Sequence, residues 1–73
     1  MTPDDIRLEL FLRRKKTNMS RIARSLDPPV TRQAISGVID KNIISNRIMA
    51  AVAVAIERDK KYVFPEYFLK KAV

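Results

Sequence analysis

Arg32 and Gln33 stand side by side directly after Thr31, at the head of a stretch whose apolar residues recur at helical spacing. An arginine can donate two hydrogen bonds to O6 and N7 of guanine, and a glutamine can both donate to and accept from adenine. Thr31 is suited either to cap a helix start or to set its methyl against a thymine methyl. Ser36 follows at spacings of four and three from Arg32 and Gln33, which puts it on their side of a helix. Gly37 has no side chain and suits close approach to DNA or to another helix. These residues have the chemistry to read base edges, and an ordinary solvated face is the plain alternative for Arg32 and Gln33.

Residues able to hold a sugar–phosphate backbone lie on both sides. A helix beginning near Asn18 would present free backbone amides at Asn18, Met19 and Ser20, where a phosphate can sit. Lys15, Lys16 and Arg21 are close to that end, and Lys41 and Asn42 follow the base-reading stretch on its other side. The chain has 15 Lys+Arg against 8 Asp+Glu, a net charge of +7. That excess favours an anionic polymer or a membrane as partner. Residues 10–26 hold six bases (Arg13, Arg14, Lys15, Lys16, Arg21, Arg24) and no acid, while acids gather at the start and late in the chain. One face is therefore expected to be distinctly positive.

Composition narrows the alternatives. Seventy-three residues make a single domain near the lower size limit for folding alone. There is no cysteine or histidine, so no disulfide and no ordinary zinc site is expected. With one glycine and scattered carboxylates, there is no phosphate-cradling glycine loop and no catalytic constellation. An enzyme, a cofactor and a small-molecule substrate are accordingly not expected. The longest apolar run, residues 48–56, is too short to span a bilayer, and the Asp-rich start does not read as a signal peptide. A cytoplasmic protein is the expectation.

The elements that must position these residues are all helical. Thr2-Pro3-Asp4-Asp5 is a strong helix start, predicting helix 1 over about residues 3–15 with Ile6, Leu10 and either Phe11 or Leu12 inward. Thr17 or Asn18 can cap helix 2, which should run to about Leu26 with Ile22, Ala23 and Leu26 on its core face. Pro28-Pro29 cannot continue it. Thr31 then caps helix 3, about residues 32–39, with Ile35, Val38 and Ile39 inward. Asp40-Lys41-Asn42 reads as a turn, and Ile43 and Ile44 after it need cover. Ser45 or Asn46 can cap helix 4, about residues 46–58, whose alanines argue for helix over strand. Apolar nearly all round, it should be the central helix, a dimer contact, or both. Asp59-Lys60-Lys61 reads as a charged turn, Val63 and Phe64 should pack back on the core, and a short last helix can start at Pro65. Residues 70–73 are expected to fray.

The chain resembles the small phage repressors and regulators with a lambda-repressor-like helix-turn-helix, including the Ner-type regulators of Mu-like phages. Ile22-Ala23-Arg24-Ser25-Leu26 is similar to that group's hydrophobic-Ala-x-x-Leu first helix, and Thr31-Arg32-Gln33-Ala34-Ile35-Ser36 to its Ser/Thr-x-x-Ala-hydrophobic-Ser second helix. Phe64-Pro65-Glu66-Tyr67 is similar to a proline–aromatic ending of some Mu-like members. Where the group usually has a glycine after the first helix, this chain has Asp27, and its Asp27-Pro28-Pro29-Val30 link is about two residues longer. The resemblance implies a compact all-α bundle of four or five helices, with helices 2 and 3 (motif about residues 18–39) forming the helix-turn-helix. It also implies a homodimer on operator DNA.

The expected function is thus a sequence-specific DNA-binding transcriptional regulator of phage or prophage type in a bacterial host cell. It would bind double-stranded DNA at an inverted repeat. The alternative is a protein-interaction module, an antirepressor or host-takeover factor that keeps the same fold.

Overall fold

Among the described residues, all five α-helices begin where a short polar side chain accepts a backbone N–H, so the starts are set locally by sequence. The computed structural model describes residues 1–67, and the expectation of fraying at residues 70–73 lies outside them. Helix α1 spans Pro3–Leu12, with Thr2 Oγ1 accepting from Asp5 N at 3.2 Å and the Asp5 carboxylate accepting from Thr2 N in return. Helix α2 spans Met19–Ser25 and is capped by Asn18, not Thr17, through Arg21 N at 2.8 Å. Helix α3 spans Arg32–Ile39, with Thr31 accepting from Ala34 N at 3.1 Å. Helix α4 spans Asn46–Ala55 under a Ser45 cap. Helix α5 spans Lys60–Val63 under Asp59, and a 3-10 turn at Pro65–Tyr67 follows. The described residues contain no strand.

Two helices end sooner than their hydrophobic pattern suggests. Helix α1 stops at Leu12 rather than near residue 15: Arg13 leaves helical geometry, and its N–H is shared between Glu9 O and Leu10 O at 3.2 Å. Helix α4 stops at Ala55 rather than near residue 58. There Glu57 takes the left-handed conformation at φ 57°, so that Arg58 N reaches back to Ala53 O at 3.0 Å. The same closure ends α3, where Lys41 has φ 65° and Asn42 N reaches Gly37 O at 2.9 Å. Both are stops that glycine commonly supplies, here built on Lys and Glu. The turn expected at Asp59-Lys60-Lys61 is instead the capped start of α5.

Helix α4 is the centre of the bundle, packing against α2, α3 and α5, while α3 also packs on α1 and α2. It buries Ile48, Met49, Val52 and Ala53 against Ile22 and Ala23 of α2, Ile35, Val38 and Ile39 of α3, Val63 of α5 and Phe64 just after it. Helix α1 contributes only Ile6 and Leu10, one turn apart. Neither Phe11 nor Leu12 joins the core as expected; both are exposed, as is Leu8. Leu26 and Val30 are half-buried at its edge.

The α2–α3 link is held by two hydrogen bonds: Val30 N donates to Ala23 O at 3.1 Å and Arg47 Nη2 of α4 donates to Pro28 O at 2.7 Å. Its Asp27–Pro28 peptide is cis. Ile43 touches Gly37 but stays 42% exposed, and Ile44 stays 71% exposed, so neither is covered as expected. No described helix is long and apolar enough to cross a membrane.

Candidate nucleic-acid interface

The amino-terminal turn of α3 stands at the surface. Thr31, Arg32 and Gln33 are exposed, and neither Arg32 nor Gln33 has a hydrogen-bond or charge partner among the described residues. Thr31 commits its hydroxyl oxygen to capping. Arg32, Gln33 and Ser36 meet with Met19 in a cleft of about 210 Å³, so the helical spacing does bring the base-edge candidates together.

Ser36 is not free in the way Arg32 and Gln33 are. Arg7 of α1 reaches across to α3, donating through Nη2 to Ser36 Oγ at 3.1 Å and through both terminal nitrogens to the Asp40 carboxylate at 2.5 and 3.0 Å. This fork-to-fork pair fixes α3 against α1. The Arg7 guanidinium holds the Asp40 carboxyl below the usual carboxylate range, and Asp40 raises Arg7 in return.

Next to the cleft, and sharing Arg32 and Met19 with it, a groove of about 470 Å³ runs between α1 and the α2–α3 pair. Its walls carry Arg7, Arg14, Arg24 and Arg32 together with Asn18 and Ser20, over apolar Leu10, Phe11 and Met19. Beyond it, a hollow of about 400 Å³ is lined by Arg13, Arg14, Lys15, Lys16 and Glu57. A basic surface thus continues from the head of α3 to Lys15 and Lys16, with Arg32 and Arg14 as its shared posts.

Arg21, Lys41 and Asn42 line none of these three hollows, Lys41 and Asn42 lying on the other side of α3 as expected. Arg21 sits on the other flank of α2: with Thr17 and Ser25, one turn either side, it lines a separate groove against α4, and its guanidinium donates to Lys16 O at 2.9 Å. Ser20 and Arg24, also one turn apart, are the pair that faces the α3 cleft side. Lys41 and Asn42 sit at the far end of α3 from Arg32, roughly 12 Å away by the helical rise. Lys41 is engaged: its Nζ donates to Met1 O at 3.0 Å and forms an ion pair with Glu66 Oε1 at 2.6 Å. Burial pushes the Glu66 carboxyl up, but the Lys41 ammonium and backbone N–H groups outweigh it and leave it below its ordinary range.

A second charged cluster is structural. The Glu9 carboxylate accepts from Arg13 one turn on and from Arg58 Nη2 at 3.2 Å, tying the end of α1 to the turn after α4. The two guanidiniums, Arg13 first, hold Glu9 below the usual range.

Sequence reasoning names Arg14 and Arg24 only as members of the basic run, and misses Arg7. The spacing of Arg24 four residues after Ser20 is a sufficient signal for its side of α2; the reach of Arg7 across to α3 leaves none. Among the described residues no group of carboxylates is placed to hold a metal ion. No protein-family model, no curated protein and no solved structure matches this chain.

Proposed function

We propose that this protein is a non-catalytic, sequence-specific DNA-binding regulator of the lambda-repressor-like helix-turn-helix type, with α2 and α3 as the motif and α3 entering the major groove. It acts as a homodimer on an inverted repeat, in the cytoplasm of a bacterial host. The observation that carries this reading is the exposed, unpartnered pair Arg32 and Gln33 on the first turn of α3, at the end of a continuous basic surface. Arg32 and Gln33 read bases, while Lys15, Lys16, Asn18 and Ser20 position the backbone. Thr31 and Ser36 contribute at the edge of the reading surface, Thr31 chiefly as the cap and Ser36 through the hydroxyl that Arg7 orients. Exposed Leu8, Phe11, Leu12, Ile44 and Val54 provide apolar area for self-association.

Selection of bound duplexes from a random pool, followed by anisotropy titration, tests it. Arg32→Ala or Gln33→Ala should cost about 1–3 kcal/mol and relax preference at one base pair, and Lys16→Ala should weaken all sequences alike. Equal loss on selected and random DNA for Arg32→Ala would overturn the base-reading role. A second reading, a protein-interaction module, is favoured by the groove of about 440 Å³ between α2 and α4, whose lining of Ile22, Leu26, Ala51 and Val54 is largely apolar. It becomes the better reading if no duplex binds in the micromolar range at physiological salt.

A further inference from the structure

We propose that the groove between α1 and the α2–α3 pair is a phosphate-binding site in which Arg14 and Arg24 hold the anion. In its first form this rests on the DNA reading, the phosphate being one of the duplex backbone. Four arginines line one groove of about 470 Å³. Only Arg7 among them is neutralised, by Asp40; Arg14, Arg24 and Arg32 meet no carboxylate among the described residues. An anion in this groove gains the attraction of unneutralised arginines beside the apolar Leu10 and Met19.

Arg14 is already oriented for the task. Its guanidinium lies 4.4 Å from the Phe11 ring centroid and donates through Nη1 to Phe11 O at 3.1 Å, which leaves Nε and Nη2 to donate outward. A side chain held this way loses little rotamer freedom on binding. Arg24 projects from α2 on the Ser20 side, and neither Arg14 nor Arg24 takes part in the core. Guanidinium forks match carboxylate and phosphate alike. Phosphate is selected by continuity: the groove shares Arg32 with the base-edge cleft and Arg14 with the Lys15–Lys16 hollow, a succession of anion positions that suits a polyanionic strand better than an isolated carboxylate.

The test uses the full chain with Arg14→Gln, Arg24→Gln and the double variant; Arg14→Lys and Arg24→Lys keep the charge without the fork. Affinity for the selected duplex and for a scrambled one is measured between about 50 and 200 mM salt. Removing one arginine that neutralises a phosphate should lower the slope of log affinity against log salt by about 0.9, equally on both duplexes, while the lysine variants, which keep the charge, keep the slope and lose only affinity. In parallel, inorganic pyrophosphate is titrated without DNA while the Nε–H resonances of Arg14 and Arg24 are followed. An unchanged salt slope with a saturable pyrophosphate shift, abolished in the glutamine variants, supports the same site with a free phosphate compound as its ligand. An unchanged slope with no saturable shift overturns the proposal. If wild-type protein binds no duplex, the DNA reading fails and the pyrophosphate titration alone decides the site.

Discussion

Replacing Gly37 by alanine asks whether the loop after α3 is seated on that helix. Alanine is favoured over glycine inside a helix by about 1 kcal/mol. A Cβ at Gly37 would lie 3.0 Å from Ile43 Cγ1 and closer still to Cδ1, while Ile43 Cβ stays at an ordinary 3.6 Å. The end of the Ile43 side chain, 42% exposed, must therefore turn away. Such a displacement off its preferred rotamer costs about 0.5–1.5 kcal/mol. The two effects offset, so Gly37→Ala alone should leave stability within about 0.5 kcal/mol of wild type. In an Ile43→Ala background the obstructing atoms are gone, and the same change should stabilise by about 1 kcal/mol. The four proteins form a double-mutant cycle with an expected coupling of about 0.5–1.5 kcal/mol, read by urea unfolding followed by circular dichroism. A gain of about 1 kcal/mol from Gly37→Ala in both backgrounds would show that Ile43 does not rest on α3.

Phe64 is fully buried, so Phe64→Ala should cost about 3–5 kcal/mol, visible as a large fall in Tm, and a loss below about 1 kcal/mol would contradict its place in the core. Glu57 holds a left-handed conformation and makes only an exposed 3.4 Å contact with Arg13, so Glu57→Gly should stabilise by about 1 kcal/mol. Lys41→Gly should gain less, because it also removes the Glu66 contact. Thr31→Ala should lose about 1 kcal/mol of stability while Thr31→Ser keeps it, as cap chemistry requires; equal losses would mean the cap is not what matters. Asp40 and Glu9 have folded pKa values depressed by their arginines, so the stability they confer is present above the ordinary carboxylate values of about 4 and disappears as pH falls through the lower folded ones. Tm should drop between about pH 5 and pH 3, and Asp40→Asn should shrink that drop.

Helix starts are legible in the sequence because each cap is a local event: Thr2, Asn18, Thr31 and Ser45 all bond an amide three residues on. Helix ends are not, because a chain with one glycine carries no stop signal at α1 or α4, and Glu57 takes a conformation its side chain does not advertise. Asp59 reads as turn for a related reason: a four-residue helix carries too little periodicity to show. The core positions of α3 follow directly from 3.6-residue spacing, whereas Phe11 and Leu12 do not, because a helix lying at the edge of a small bundle buries only a narrow stripe. In the candidate site, residues on one helix turn group as their spacing predicts, as with Arg32, Gln33 and Ser36. Groupings across helices, such as Arg7 with Ser36 and Asp40, depend on packing that no local pattern encodes.

The bond from Val30 N to Ala23 O closes the α2–α3 link into a ring. The head of α3 cannot swing away from α2 without first opening that ring. The backbone from which Arg32 and Gln33 project is therefore tied to α2 by the chain's own hydrogen bonding. The same bond also supplies a natural gauge: the deuterium-exchange lifetime of a single amide, that of Val30, counts how often the presenting end of α3 comes loose.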